Sequence, residues 1–80
     1  MSHITGFVLD NSDHPVENAT ITLPSAGLFA LSGEHGEFEI ADVPPGIQRI
    51  NVVHRRFQKF GADLRIVEDM EIYINLDNQL

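Results

Sequence analysis

His14, His35 and His54 each sit in a polar stretch beside carboxylates, with Asp10 and Asp13 near the first and Glu34 next to the second. Imidazole nitrogens with a carboxylate form a donor set for zinc and related transition metals. The spacing of these three matches no zinc signature. The 80 residues hold no cysteine, so thiolate ligands and thiol nucleophiles are excluded. The three histidines are candidate ligands set against the plainer reading of solvated loop residues, and no cofactor is expected.

Arg55-Arg56-Phe57-Gln58-Lys59-Phe60 is the one basic cluster, and with Arg49 it holds four of the five cationic side chains. Cations interleaved with aromatics suit single-stranded nucleic acid. A net charge of −7 opposes that, and opposes anionic membranes as well. Two readings remain. In one, the stretch is a solvated loop with Phe57 or Phe60 tucked into the core. In the other, Arg55, Arg56 and Lys59 meet an acidic protein surface by charge complementarity. Catalysis finds no support: Ser2, Ser12, Ser25 and Ser32 lie in turn contexts without a nucleophile elbow, and no glycine-rich loop precedes a helix.

The elements that carry these residues read as strands. Turn residues cluster at Asp10 to Pro15, Pro24 to Gly27, Gly33 to Gly36, Asp42 to Gly46, Arg55 to Gly61 and Glu68-Asp69, a spacing typical of a sandwich or barrel. Seven strands lie between them: 4–9, 19–23, 28–32, 37–41, 47–54, 62–67 and 70–76. The stretch 62–70 also admits a helical turn or two. Period-2 alternation in the second, fourth and seventh strands marks one buried face. It nominates Ile21, Phe38, Ile40, Ile50, Val52, Ile72 and Ile74 as core. In the first strand Ile4, Gly6 and Val8 share the inner face, which turns Phe7 and Leu9 outward as a candidate partner patch. Val43-Pro44-Pro45-Gly46 reverses the chain, with Pro45 presetting φ and Gly46 supplying a positive φ. If consecutive strands alternate in direction, the loops carrying His14, His35 and His54 share one pole.

These pieces, in this order, resemble the carboxypeptidase regulatory-like family, small sandwiches of the transthyretin-like type. Ile4, Gly6, Val8 and Asp10 match its opening strand. Pro15-Val16, the strand Ala19 to Leu23, the segment Ser32 to Phe38 and the Pro-Pro-Gly turn follow in turn. The resemblance spans roughly 4–76 and is strongest over 4–54. Two departures stand out. Ser32-Gly33 replaces the family's Thr-Asp, removing a carboxylate that would tie the hairpin. Arg56-Phe57 stands where Gly-Tyr or Gly-Phe is usual. The resemblance implies a non-catalytic accessory or interaction module. The fold also hosts hydroxyisourate hydrolases, whose Tyr-Arg-Gly-Ser tail is not matched by Leu76-Asp77-Asn78-Gln79-Leu80.

The expectation is one all-β domain over 1–80, a seven-stranded antiparallel Greek-key sandwich of transthyretin-like type. It serves as a binding or structural module for a protein partner, without catalysis. Carbohydrate binding is the alternative, though the chain has no tryptophan and one tyrosine, Tyr73, facing outward. A metal-dependent enzyme comes third. Nucleic acid and membrane insertion are not expected. No signal segment or apolar run of about 20 residues is present, which fits a cytoplasmic protein and equally an extracytoplasmic domain of a larger chain.

Overall fold

A computed structural model describes residues 1–78; Gln79 and Leu80 of the tail compared above lie outside the described residues. Seven strands run in chain order: β1 (Ser2–Asp10), β2 (Thr20–Leu23), β3 (Leu28–Leu31), β4 (Glu37–Val43), β5 (Gly46–Val53), β6 (Phe60–Ile66) and β7 (Met70–Leu76). They form a three-stranded sheet of order β4-β1-β7 and a four-stranded sheet of order β3-β2-β5-β6. The all-β, transthyretin-like sandwich is thus the fold of this chain. The stretch 62–70, which admitted a helical turn, holds no helix: β6 runs from Phe60 to Ile66, and Val67, 75 % exposed, opens the short connection to β7.

One ladder corrects the all-antiparallel expectation, because β1 and β7 pair in parallel, from Ile4 with Met70 to Asp10 with Leu76. The cause is parity. Seven strands alternating up and down send every odd strand the same way, so two odd strands that become neighbours must be parallel. The ladders β1–β4, β2–β3, β2–β5 and β5–β6 each join an odd strand to an even one and are antiparallel.

The core lies between the sheets. Ile4, Val8, Ile21, Leu23, Val43, Ile50, Val52, Ile66 and Leu76 are its most deeply buried large side chains. Phe38, Ile40 and Ile74 join them as expected, whereas Ile72 is only partly buried against the cluster. Gly6 belongs to the inner face for a steric reason. A Cβ there would strike the Ile72 carbonyl and come within 2.8 Å of the Phe38 ring.

The β4–β5 reversal follows the sequence reading in its key residue, since Gly46 has φ +109°. An additional irregularity precedes it. Ser2 opposes Val43 while Ile4 opposes Ile40, so β4 carries one extra residue against β1. Asp42 takes it up at φ +59°, the bend of a bulge near the strand end.

Candidate functional site

Alternation of strand direction brings the β1–β2, β3–β4 and β5–β6 loops to one pole, as parity requires. The loops are tied there by backbone hydrogen bonds: Val8 N–H donates to the Gly36 carbonyl at 2.8 Å, and Val16 N–H to the Val8 carbonyl at 2.9 Å. Ser32 is the buried polar node of this pole. Its hydroxyl accepts from Ala19 N–H at 2.9 Å and donates to the Val16 carbonyl at 2.7 Å. The turn context alone hid that role. The signal for it was Ser32's place at the family's threonine position, where a hydroxyl is kept.

The pole holds all three candidate histidines without bringing them together. Among the described residues, no group of three or more histidine or carboxylate side chains is placed to hold a metal. Two of the rings lie beside carboxylates close to them in the chain, and the third bonds across to the β1–β2 loop. His14 Nδ1 lies 3.6 Å from Asp10, and His35 Nδ1 lies 3.5 Å from Glu37 and 3.9 Å from Glu34. His54 is committed on both nitrogens. Nδ1 accepts from Arg56 N–H at 3.1 Å, which leaves the proton on Nε2 to donate to the Glu17 carbonyl at 3.0 Å. That tautomer has no lone pair free for a metal.

Asp10 organises the β1–β2 turn. Its Oδ1 accepts from the N–H groups of Ser12 and His14, at 2.8 and 3.0 Å. Hydrogen bonding from the His14 backbone, then from Ser12, holds its carboxyl below the ordinary 3.8 against the opposing effect of burial. The β3–β4 connection, which crosses between the sheets and so is not the hairpin expected, also has a carboxylate, although Gly33 stands where the family has aspartate. Glu37 supplies it: its side chain occupies the space a Cβ on Gly33 would enter, and it accepts from His35 N–H at 3.4 Å.

The basic β5–β6 loop is a built structure. Phe57 N–H donates to the His54 carbonyl at 3.1 Å, and Gln58 N–H to the Asp77 carbonyl at 2.8 Å. Gln58 Nε2 donates to the Asn78 carbonyl at 3.0 Å. The Phe57 ring meets His54 edge-on at 5.3 Å between centroids, and both Phe57 and Phe60 pack against the core. Positive φ outside glycine occurs only at Asp13, Asn18 and Asp42 among the described residues. Arg56-Phe57 therefore forms this loop without the backbone freedom of the family's glycine. Arg55, Arg56 and Lys59 are exposed, and none of them makes an ion pair among the described residues.

The two outer faces differ in charge. On the three-stranded sheet, Glu39, Thr5 and Glu71 form one transverse row and Glu37, Phe7 and Tyr73 the next. Phe7 is half-buried because Tyr73 stacks on it, 5.6 Å between centroids and 22° between planes. Leu9 is half-buried too. Tyr73 donates its phenol proton to Glu71 at 3.0 Å, which raises its pKa above the ordinary 10.0. The four-stranded sheet carries Arg49, paired with Asp63 at 3.4 Å, and Arg65. It also exposes Phe29, Leu31 and Val53. These apolar residues were not singled out from the sequence; the signal was β3, apolar on both faces as Leu28-Phe29-Ala30-Leu31.

Comparison with known proteins agrees with this architecture. A chain of the type II cohesin–X-dockerin complex from Acetivibrio cellulolyticus, in a C-terminal interface mutant, superposes with TM-score 0.84 at 16% identity, over 95% of this chain and 57% of that one. The N-terminal interface mutant gives the same values. The Bacillus anthracis TIE protein superposes at TM-score 0.69 and 10% identity, over 96% of this chain and 16% of that one. This chain therefore spans just over half of the first two chains and a small part of the third, and identities this low show the fold alone. No curated protein matches the sequence significantly. The family description of the carboxypeptidase regulatory-like domain matches residues 3–77. With nearly the whole length matched, and with the sandwich that the matched segments build, the chain belongs to the carboxypeptidase regulatory-like domain family.

Proposed function

We propose that this domain is a non-catalytic accessory module that makes protein–protein contact through its β5–β6 side, with Arg55, Arg56 and Lys59 docking an acidic surface. One observation carries the reading: all five lysine and arginine residues fall between Arg49 and Arg65 on a molecule of net charge −7. Such a patch raises the encounter rate with an acidic surface even where it adds little affinity. The family and the fold support contact as the mode of action, and similar folds occur in a chain of a cohesin–X-dockerin complex.

The test is kinetic. With the partner isolated from the native assembly, Arg55→Glu with Arg56→Glu slows association at low salt by roughly tenfold or more, and added salt slows the wild type likewise. Equal rates for the double variant and the wild type at low salt would make the loop a solvated turn. Contact would then pass to the Phe7 and Leu9 side or to a strand edge.

A second reading, carbohydrate binding, is favoured by Tyr73, a residue 62% exposed whose ring is backed by Phe7. Binding on a glycan array that vanishes in Tyr73→Ala would carry it, and an empty array would end it.

A further inference from the structure

We propose that this domain associates head-to-tail with a second copy of itself, the outer face of the three-stranded sheet receiving the basic β5–β6 loop of the next molecule. The inference rests on reading that loop as a contact surface, and it names the partner.

The carrying observation is the separation of charge between two parts of one molecule. Strands β1, β4 and β7 contain no lysine or arginine. Their outer face presents Glu37, Glu39 and Glu71 around the stacked Phe7–Tyr73 pair. His3, 3.1 Å from Glu39, is the one imidazole on that face among the described residues. A cleft of about 660 Å³ opens beside it, lined by Phe7, Phe38 and the same three glutamates. The opposite sign sits at the β5–β6 loop, where Arg55, Arg56 and Lys59 have no carboxylate partner among the described residues. Beside Arg55 lies a second cleft of about 420 Å³, lined also by Thr20, Val53 and His54. The acidic face has an apolar part in the Phe7–Tyr73 pair, the loop side is polar apart from Val53, and the charges of the two surfaces are complementary. Guanidinium groups both stack on aromatic faces and pair with carboxylates, and the glutamate–tyrosine face offers both partners.

The overall charge of −7 does not prevent this contact. Counterions screen exposed charges beyond about 10 Å at 0.1 M salt, and the domain measures 35 × 21 × 17 Å. Repulsion between whole molecules is thus damped while charges in direct contact still attract. Because the two surfaces are different patches, the contact is heterologous. It builds a row of copies unless the rotation between neighbours closes a ring.

Sedimentation velocity on the whole chain, from micromolar to millimolar concentration, tests this. The wild type should associate at 0.1 M salt and dissociate toward monomer at 1 M. Arg55→Glu with Arg56→Glu acidifies the loop, and Glu39→Lys with Glu71→Lys makes the face basic. Each double variant alone should raise the dissociation constant by about tenfold or more. An equimolar mixture of the two should associate again, because the intact face of one meets the intact loop of the other. Circular dichroism confirms that both variants are folded. A wild type that stays monomeric at millimolar concentration overturns the proposal, as does association that survives loop reversal, or folded variants that fail to complement. If the wild type is monomeric yet loop reversal still slows binding to a different protein, the head-to-tail contact fails and the loop reading stands.

Discussion

Ser32 and Asp10 show how single polar groups hold the pole together. Ser32 is buried and satisfies two backbone groups that belong to a different connection, the Val16 carbonyl and the Ala19 N–H. Ser32→Ala removes one hydroxyl and leaves a donor and an acceptor unpaired, so it should destabilise by about 1–3 kcal/mol. Chemical denaturation measures this, and an unchanged midpoint would mean that water replaces the hydroxyl at no cost. Asp10 carries a pH dependence. Its carboxyl is held below 3.8 when folded, chiefly by the His14 backbone N–H, so the folded state binds its proton less readily than the unfolded chain. The stabilisation is therefore present above the unfolded value and is lost as pH falls through the lower folded value. Carboxyl NMR should give Asp10 a midpoint below 3.8, and stability should fall with acidification across that window, less so in Asp10→Asn. A midpoint at or above 3.8 would contradict the hydrogen bonding described.

Among the elements, the β4–β5 connection has the most demanding backbone. Gly46 holds φ +109° with open space around the position of a Cβ, so any penalty on substitution comes from backbone conformation and not from collision. Gly46→Ala should cost more than about 1 kcal/mol, because a Cβ is strained at that φ. An unchanged unfolding midpoint would mean that the turn relaxes into another form. Gly6 differs in kind: its constraint is the close approach of β7's backbone and the Phe38 ring. The β5–β6 loop dispenses with glycine altogether and is braced by His54, Phe57 and the chain near Asp77.

For the molecule as a whole, small size makes each core contact expensive to lose. An 80-residue domain has a total stability of roughly 4–12 kcal/mol. Ile40 lies between the sheets, 3% exposed. Ile40→Ala should remove about 2–5 kcal/mol, the cost of a deleted aliphatic side chain plus the cavity left behind. Thermal and denaturant unfolding read this directly, and a change within error would place Ile40 outside the cooperative core. The charge distribution belongs to the same level. The cations crowd into one hairpin and its loop, while the other sheet bears carboxylates around two aromatics. A contact function arises from that arrangement, not from any one side chain.

Local residue pattern was enough to specify six of the strands, most of the inner faces, the Gly46 reversal and the common pole of three loops, while the sixth strand stayed open to a helical turn and Ile72 was placed too deep. Side chains alternate every two residues along a strand, and the chain must reverse where proline and glycine break the pattern. Alternating direction also fixes in advance that any two odd strands that meet run parallel. That β1 and β7 are the odd strands that meet came from packing, because no local pattern states which distant edge a strand will join. The same holds for the site. The basic cluster was legible as consecutive residues, but the stacking of Phe7 on Tyr73 and the glutamate rows beside it needed β1, β4 and β7 aligned in register. His14, His35 and His54 show the converse: topology brought them to one pole, and nearby backbone and carboxylate groups then claimed each ring separately.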